Sequence, residues 1–186
     1  AAIGCSGLGS PAIHVLVRAG VRRFVLVDPD YFAPSNQERM HGSNWHDLET
    51  KPLKIEILRR LILDIEPTAV VTIIRGNVLD EAVLDEILRC DLALGCTDSQ
   101  HSRAALGDYA SHYLLPCIDA AVLMRAKNGK LTEQVGELAR YSPGEPCPWC
   151  LGRINQKALA YELLTDEERE QRPNAAAEAV RRGIDG

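Results

Sequence analysis

Two acidic residues and two cations follow a single apolar run in the first third of the sequence. Asp28 and Asp30 come at the end of the run FVLV, Arg39 lies farther along the following loop, and Lys54 comes near the start of a predicted helix. A carboxylate in this position can accept hydrogen bonds from sugar hydroxyls, and fixed cations neutralise phosphate oxygens. These residue types in this order predict chemistry on a ligand that carries both a sugar and phosphates.

A glycine-rich turn, GCSGLGS, precedes the acidic pair and could hold the phosphates of such a ligand. It contains Gly4, Gly7 and Gly9, with Ser6 where the pattern G-x-G-x-x-G has its second glycine. A helix that begins at such a turn presents N–H groups to an anion, although a tight turn without a ligand has the same appearance. Asp28 lies at the distance expected for an acid that binds ribose, which favours nucleotide binding and leaves a dehydrogenase or a methyltransferase possible.

Asn36 and Arg39 favour a reaction at phosphate over the binding of a redox cofactor. A nicotinamide dehydrogenase does not require an amide and a cation just beyond its second strand, whereas charge on a phosphoryl group must be neutralised in place. Arg39 supplies a planar cationic fork, and Lys54 could add a second cation. Asp98 could hold Mg²⁺, which binds through one or two carboxylates together with phosphate oxygens.

Each of these residues also has a purely structural interpretation. An isolated Arg39 is typical of an arginine that braces a loop, and an isolated Lys54 is typical of a solvated helix face. Asp98 lies in TDSQ before a predicted helix, where an acid often caps the helix, and Asp30 could simply shape its turn. The functional interpretation therefore rests on the whole set occurring in this order.

Alternating apolar and amphipathic segments indicate the elements that position these residues. The segments AAI, FVLVD, AVVTII, DLALGC and PCIDAAV predict strands, and PAIHVLVRAG, TKPLKIEILRRLILDI, DEAVLDEILR and SQHSRAALGDYASHYL predict the helices between them. This alternation predicts an α/β fold, a Rossmann-like doubly wound and mostly parallel sheet with helices on both faces. Ligands of such sheets bind at the carboxyl ends of the strands, so the glycine turn, Asp28 and Asp98 should converge there.

The longest predicted helix is expected to begin with Thr50 as its cap and Pro52 in its first turn. Its apolar residues predict one buried stripe, formed by Leu53, Ile57, Leu61 and Ile65. The helix that follows the next strand should turn four residues inward, namely Val83, Leu84, Ile87 and Leu88.

The sequence changes character after Met124. AKNGKL carries Asn-Gly, which is typical of a two-residue hairpin turn, YSPGEPCPWC reads as a loop, and TDEE offers a capping box from Thr165 to Glu168. PNAAAEAVRRG predicts a short helix that ends at Gly183. We therefore divide the chain into a nucleotide-binding core over residues 1–124, whose first strand looks truncated, and an extension of the same domain over residues 125–186.

The 186-residue chain has the composition of a globular domain, with 46% hydrophobic and 25% charged residues. Its net charge of -5 and pI of about 5.6 predict no basic surface for bulk nucleic-acid binding. We see no apolar run of about 18 residues, the length that suggests a membrane span, and no signal peptide. Six scattered cysteines suit reduced thiols and predict a cytoplasmic protein.

Four segments carry a resemblance to a known family. GCSGLGS, VDPDYFAPSNQER, KPLK and GCTDSQHSR resemble the ubiquitin-activating-enzyme-like adenylyltransferases, the ThiF/MoeB/HesA superfamily, over roughly residues 1–153. The resemblance implies an enzyme that uses ATP to adenylate a carboxylate, commonly the C-terminal Gly-Gly of a ubiquitin-like or sulfur-carrier protein. It also implies a homodimer with the α/β fold predicted above, and a core that binds ATP.

The resemblance implies roles for the matching residues. Asp28 would hold the ribose, Lys54 would lie beside the α-phosphate, and Asp98 would position Mg²⁺ and ATP. Lys51 is an alternative to Lys54, because the loop that starts at Arg39 looks longer than is usual in the family. Ser35, Asn36 and Arg39 would face the triphosphate. The full set expected at the nucleotide is Gly4, Gly7, Gly9, Asp28, Asp30, Ser35, Asn36, Arg39, Lys54, Asp98 and Ser99, of which Arg39, Lys54 and Asp98 are the expected catalytic residues. Arg103 matches the last arginine of the motif, in a structural or a functional role.

The sequence CPWC, from Cys147 to Cys150, resembles half of the structural zinc site of this family. Four-coordinate zinc needs two further ligands, and the other cysteines in the second half of the core lie in or beside predicted strands. An unmetallated loop or a remnant of a site remains an alternative, and a redox CxxC is a weaker one. The sequence does not identify a cysteine that would form a thioester.

Two other functions compete with the adenylyltransferase hypothesis. A non-catalytic partner subunit or scaffold would use the same fold to bind a protein, and its expected signature is loss of the motif residues, which are present here. An NAD(P)-dependent oxidoreductase leaves Asn36 and Arg39 unexplained. The adenylation hypothesis needs no general base, because a C-terminal carboxyl with a pKa of about 3.3–3.7 is already ionised at neutral pH.

Overall fold

The computed structural model describes residues 1–127 and 130–170. Its strands are β1 (Ala2–Ile3), β2 (Arg23–Val27), β3 (Val70–Ile74), β4 (Ala93–Gly95), β5 (Cys117–Lys127) and β6 (Lys130–Tyr141). Its helices are α1 (Gly9–Arg18), α2 (Trp45–Thr50), α3 (Lys54–Ile65), α4 (Glu81–Ile87), α5 (Gln100–His112), α6 (Gln156–Glu162) and α7 (Asp166–Glu170). Within these ranges, no helix has both the length and the apolar character that crossing a bilayer demands.

The strands form one six-stranded sheet in the order β3-β2-β1-β4-β5-β6. The first five are parallel, and β6 pairs antiparallel with β5. This order confirms the doubly wound fold, because the chain runs outward from β1 in one direction and then returns to its other side.

Two apolar cores cover the two faces of the sheet, which confirms helices on both. Helices α1 and α3 pack on one face in a core that includes Ala2, Ile13, Leu26, Ile57, Leu58 and Ile62. Helices α4 and α5 pack on the other in a core that includes Ile3, Val27, Val83, Ile87, Leu106 and Tyr109. Neighbouring residues of β1 and β2 belong to opposite cores, as expected from the alternation of side chains along a strand.

The central position of β1 brings the candidate site residues together. Ile3, the last residue of β1, pairs with Val27 on one side and with Gly95 on the other. The segments that follow these three strands therefore leave the same edge of the sheet side by side. They are the glycine turn, the loop that starts at Asp28, and the loop that contains Asp98.

The predicted start of the longest helix is wrong. Thr50 does not cap it but ends a separate helix, α2, whose N-cap is Asn44. The side chain of Asn44 accepts from the backbone of Asp47, and the Asp47 carboxylate accepts from the Asn44 N–H at 2.8 Å, a reciprocal pair that starts a helix early. Lys51 then adopts a left-handed conformation, with a φ of 46°, and α3 begins only at Lys54.

The predicted buried stripe of α3 is also only partly correct. Ile57 is fully buried as expected, whereas Leu53, Leu61 and Ile65 are only partly buried. A strict i,i+4 row drifts off the buried face because the helix has about 3.6 residues per turn. The fully buried apolar residues of α3 are Ile55, Ile57, Leu58 and Ile62. In α4 the prediction holds, since Val83 and Ile87 are buried and their two apolar neighbours pack against them.

The extension after residue 124 is partly described. β5 and β6 pair as far as Lys127 opposite Lys130, which suits the predicted hairpin, although Asn128 and Gly129 themselves lie outside the described residues. The capping box of Thr165 and Glu168 is confirmed, because each residue accepts a hydrogen bond from the backbone N–H of the other. The helix predicted at residues 173–183 lies outside the described residues, and the division at residue 124 stays a prediction.

Candidate active site

A cleft of about 1560 Å³ opens at the carboxyl edge of β1, β2 and β4. Most of the residues predicted for the nucleotide line it, and these are Gly4, Gly7, Asp28, Asp30, Arg39, Lys54, Asp98 and Ser99. The sheet order brings this set together from four separate segments of the chain.

The glycine turn requires glycine because other atoms approach its backbone closely. Gly4 has a φ of +89°, and a Cβ there would lie 2.7 Å from the carbonyl oxygen of Cys96. A Cβ on Gly9 would lie 2.0 Å from the carbonyl oxygen of Gly4. A Cβ on Gly7 would lie 3.1 Å from Cδ of Arg39, so Gly7 lets the stem of Arg39 lie over the turn.

Asp28 is held in a fixed orientation at the end of β2. Its side chain is buried, one carboxylate oxygen accepts from the backbone N–H of Cys5 at 2.7 Å, and the other accepts from that of Asp30 at 2.9 Å. Each carboxylate oxygen has a second lone pair that these bonds leave available. Asp28 can therefore tie the glycine turn to β2 and still accept a hydrogen bond from a ligand in the cleft.

Lys54 reaches the cleft and Lys51 does not. The Lys54 side chain is only 10% exposed, and its Nζ donates to Oδ2 of Asp30 at 2.6 Å. The Lys54 backbone N–H also donates to the carbonyl oxygen of Asp30, at 3.1 Å. Lys51 is exposed at the end of α2 and does not line the cleft, so the geometry favours Lys54 over its rival.

Arg39 and Asp98 are exposed in the cleft, and neither side chain has a hydrogen bond or an ion pair with the described residues. The alternative role of Asp98 as a helix cap is wrong. Ser99 is the N-cap of α5, since its hydroxyl oxygen accepts from the backbone N–H of Ser102. The charged ends of Arg39 and Asp98 are thus available to a ligand.

Ser35 and Asn36 do not line the cleft, in contrast to the expectation for the triphosphate. Asn36 is buried, and its Oδ1 accepts from the backbone N–H of Ala33 at 3.0 Å. Its carbonyl oxygen accepts from the N–H of Arg39 at 3.1 Å. Asn36 therefore shapes the loop that carries Arg39, because its side-chain oxygen is used to close a short turn.

Arg103 lines the cleft and is also engaged inside the protein, so the geometry fits both a structural and a functional role. Its Nε donates to Oδ2 of Asp119 on β5 at 2.7 Å, in a pair that is almost entirely buried. The hydroxyl of Tyr141 approaches the same carboxylate, and burial together with Asp119 raises the pKa of Tyr141 to about 12. This cluster joins α5 to β5 and β6.

Comparison with known proteins assigns the chain to a family. The ThiF family model matches residues 1–180. The chain belongs to the ThiF family. It is 29% identical over 154 residues to the molybdopterin-synthase adenylyltransferase of Salmonella typhimurium, covering 82% of this chain and 57% of that protein. It is 30% identical over 121 residues to the sulfur carrier protein ThiS adenylyltransferase of Escherichia coli, covering 65% of this chain and 47% of that protein.

The fold also matches solved structures. The crystal structure of E. coli MccB with ATP superimposes with a TM-score of 0.65 at 20% identity, covering 88% of this chain and 47% of that chain. At this identity the likeness concerns the fold. The ThiF-family chain spans about half the length of the curated relatives it matches.

A second wall of the cleft, missed by sequence analysis, comes from the segment after the CxxC loop. Gly152, Arg153 and residues 155–157 line the cleft, and Arg153 forms an ion pair with Glu137 of β6. The Glu162 carboxylate accepts from the backbone N–H groups of Gln100 and His101 at the start of α5, each at 2.9 Å. The ring of His101 also contacts Glu162, at 2.9 Å. No local sequence pattern predicts these contacts, because the residues that form them lie far apart in sequence.

The CxxC loop of this ThiF-family chain brings two sulfur atoms close together, but the described residues do not contain a full set of zinc ligands. The sulfur atoms of Cys147 and Cys150 lie 3.7 Å apart, close to the ~3.8 Å between neighbouring ligands of tetrahedral zinc. The backbone N–H of Cys150 holds the pKa of the Cys147 thiol below its ordinary value. Residues 1–127 and 130–170 contain no group of three or more possible ligands, so they do not complete the site.

Cys96 lines the cleft but is a poor nucleophile. Burial, helped by the nearby carboxylate of Asp119, raises the pKa of its thiol to about 12. At neutral pH the thiolate, which is the reactive form, is therefore scarce. The raised pKa of the Cys96 thiol therefore argues against a thioester-forming role for this cysteine.

Proposed function

We propose that this protein uses ATP to adenylate a carboxylate and releases pyrophosphate, and that the carboxylate is the C-terminal glycine of a ubiquitin-like or sulfur-carrier protein. One observation carries the proposal: the glycine turn, Asp28, Arg39, Lys54 and Asp98 line one cleft. The molybdopterin-synthase and ThiS adenylyltransferases to which the chain is similar support the same activity.

The residues of the cleft suit ATP. The glycines leave room for phosphates to approach the backbone at the start of α1, where N–H groups point toward a ligand. The hydroxyl oxygen of Ser6 in the same turn is buried and has no hydrogen-bond partner within the described residues. A polar atom in this state is costly unless a ligand or water satisfies it. Asp28 remains able to accept from a ribose hydroxyl.

The donor set also suits Mg²⁺, the ion that ATP carries. Asp98 would hold it, as a carboxylate that no other described side chain engages, and phosphate oxygens would complete the shell. When bound, the ion would neutralise phosphate charge.

The side chains of the cleft serve alignment and charge neutralisation in this proposal. The incoming carboxylate is already ionised, so its attack on the α-phosphate needs no general base. Lys54, oriented by Asp30, would neutralise the phosphoryl group that is attacked, and Arg39 would neutralise the departing pyrophosphate. Asp30 thus becomes a positioning residue for Lys54, because its carboxylate fixes the direction of the lysine chain.

The size of the cleft favours a second substrate beside the nucleotide. Ligand pockets commonly have volumes of about 300–1,000 Å³, and this cleft is larger. Other parts of the wall are formed by Ala121 and Val122 of β5, by Gln134 and Glu137 of β6, and by Gly152, Arg153 and residues 155–157. A narrow, flexible tail that ends in a carboxylate suits this space.

Three further features belong to the proposal. The protein would act as a homodimer in the cytoplasm, where its cysteines, all free in the described structure, would remain reduced. Cys147 and Cys150 would contribute half of a structural zinc site. The acidic net charge supports a protein rather than a nucleic acid as partner.

Calorimetric titration with ATP–Mg²⁺ and with NADH tests the nucleotide. We expect ATP to bind and NADH not to bind. Lys54→Ala should weaken ATP binding about tenfold or more, the loss of one charged contact, while Lys51→Ala, outside the cleft, should leave it unchanged. Binding of NADH instead of ATP would support an oxidoreductase, and binding of neither would support a scaffold.

A further inference from the structure

His41, in the segment that follows Arg39, contacts α1 through both its backbone and its exposed ring. The backbone N–H of His41 donates to Oγ of Ser10 at 2.9 Å, and Ser10 is completely buried in the first turn of α1. The His41 ring contacts the His14 ring one turn farther along the same helix, with 3.1 Å between the two Nδ1 atoms. We call these two contacts the His41 clamp.

The hydrogen bonds around the two rings assign their protons. Nε of Arg18 donates to Nε2 of His14 at 2.8 Å, and an arginine can only donate. Nε2 of His14 is therefore an acceptor, and a neutral His14 carries its proton on Nδ1. This proton is donated to Nδ1 of His41, which must be unprotonated. The clamp as observed thus requires both rings to be neutral.

The clamp lies close to Arg39 in the chain, on a segment whose backbone is also held by Asn36. Met40, between Arg39 and His41, is buried in the core beneath α1 and α3, so the backbone at this point has little freedom. The stem of Arg39 lies against Gly7 in the turn that begins α1, and its guanidinium has no described partner that would hold it. The segment from Arg39 to His41 therefore lies along α1, which is the helix that begins at the glycine turn.

We propose that Ser10, His14 and His41 are positioning residues that hold Arg39 over the glycine turn, in register with the phosphates of a bound nucleoside triphosphate. The inference rests on the proposed ATP binding and extends it to residues that do not line the cleft. Because these residues act through Arg39, substituting them should change only the binding of ligands that Arg39 contacts.

The experiment compares the affinities for ATP and AMP by calorimetry. His41→Ala should weaken ATP binding about fivefold, the value of one hydrogen bond, and leave AMP binding unchanged, because AMP lacks the outer phosphates that Arg39 would face. His41→Asn keeps an acceptor where Nδ1 lies, so it should restore ATP affinity. In an Arg39→Ala protein, His41→Ala should have no further effect on ATP binding.

The outcomes separate this inference from the proposed function. The inference about the clamp is overturned if Arg39→Ala weakens ATP binding but His41→Ala does not. It is also overturned if His41→Ala weakens the binding of ATP and AMP equally. In both cases the proposal of ATP binding stands. If His41→Ala adds its full effect on top of Arg39→Ala, the clamp is also overturned. If neither the wild-type protein nor any variant binds ATP, the proposed function itself fails. Thermal unfolding of each variant shows that a loss of affinity is not a loss of fold.

Discussion

At the scale of single residues, the cleft contains polar groups that have no hydrogen-bond or ion-pair partner among the described residues. Arg39 and Asp98 have no side-chain partner in the described structure, and the hydroxyl of Ser6 is buried without a hydrogen bond. A buried unsatisfied polar group costs stability. Such groups persist at functional sites because a ligand uses them.

Ser6→Ala should therefore have opposite effects on stability and on binding. The free protein should gain about 1 kcal/mol in the free energy of unfolding, because the substitution removes an unsatisfied hydroxyl. The affinity for ATP should fall about fivefold, because the same hydroxyl is expected to meet a phosphate. Urea unfolding and calorimetry measure the two effects. Ser111→Ala, an exposed substitution far along α5, is the control for ATP affinity, and a loss of both stability and affinity in Ser6→Ala would contradict the account.

At the scale of elements, α2 lies in the segment between Arg39 and Lys54, and an ion pair ties it to α3. Arg60 of α3 donates two hydrogen bonds to the carboxylate of Asp47, at 3.0 and 2.7 Å, and a third to the carbonyl oxygen of Gly42. The Asp47 side chain is only 1% exposed. Burial tends to raise the pKa of Asp47, but the hydrogen bonds from Arg60 and Asn44 outweigh it and hold this pKa below its ordinary value of 3.8.

The lowered pKa of Asp47 predicts a pH-dependent contribution to stability. A carboxyl whose folded pKa lies below its unfolded pKa stabilises the protein above the unfolded value, and this stabilisation is lost as the pH falls through the folded value. Asp47→Asn should lower the free energy of unfolding by about 2 kcal/mol at neutral pH. The difference from wild type should shrink below about pH 4. Glu49→Gln, an exposed acid on the same helix, is the control, and a difference that is constant with pH would contradict the assignment.

The helices and strands also show how much of the fold could be predicted from the sequence alone. The apolar runs predict β1 to β5 and the doubly wound sheet correctly, because buried parallel strands have a strong local signal. The start of α3 is missed because the reciprocal cap of Asn44 and Asp47 lies inside a polar stretch that resembles a loop. The contacts of His41 with Ser10 and His14 join residues far apart in sequence, and no local pattern reveals them. Asn36 is predicted to face the triphosphate, but its buried side chain supports a turn and does not line the cleft.

At the scale of the whole molecule, the cleft has two walls of different origin. The switch point of the parallel sheet supplies the glycine turn, Asp28 and Asp98. The second wall comes from β6, Gly152, Arg153 and residues 155–157. The contacts of Glu162 with the start of α5 and of Arg153 with Glu137 hold this second wall in place. A nucleotide on one side and the tail of a carrier protein on the other would meet where Lys54 lies.

Exchange of labelled pyrophosphate into ATP tests the central claim most directly, because it occurs only when an adenylate forms reversibly. The purified protein should catalyse exchange with a ubiquitin-like or sulfur-carrier protein that ends in glycine, and not with the same carrier ending in an amide. Arg39→Ala and Asp98→Asn should each lower the rate about 100-fold, the usual cost of removing one group that stabilises developing charge. Exchange that is independent of the free carboxylate, or that survives both substitutions unchanged, would contradict the account.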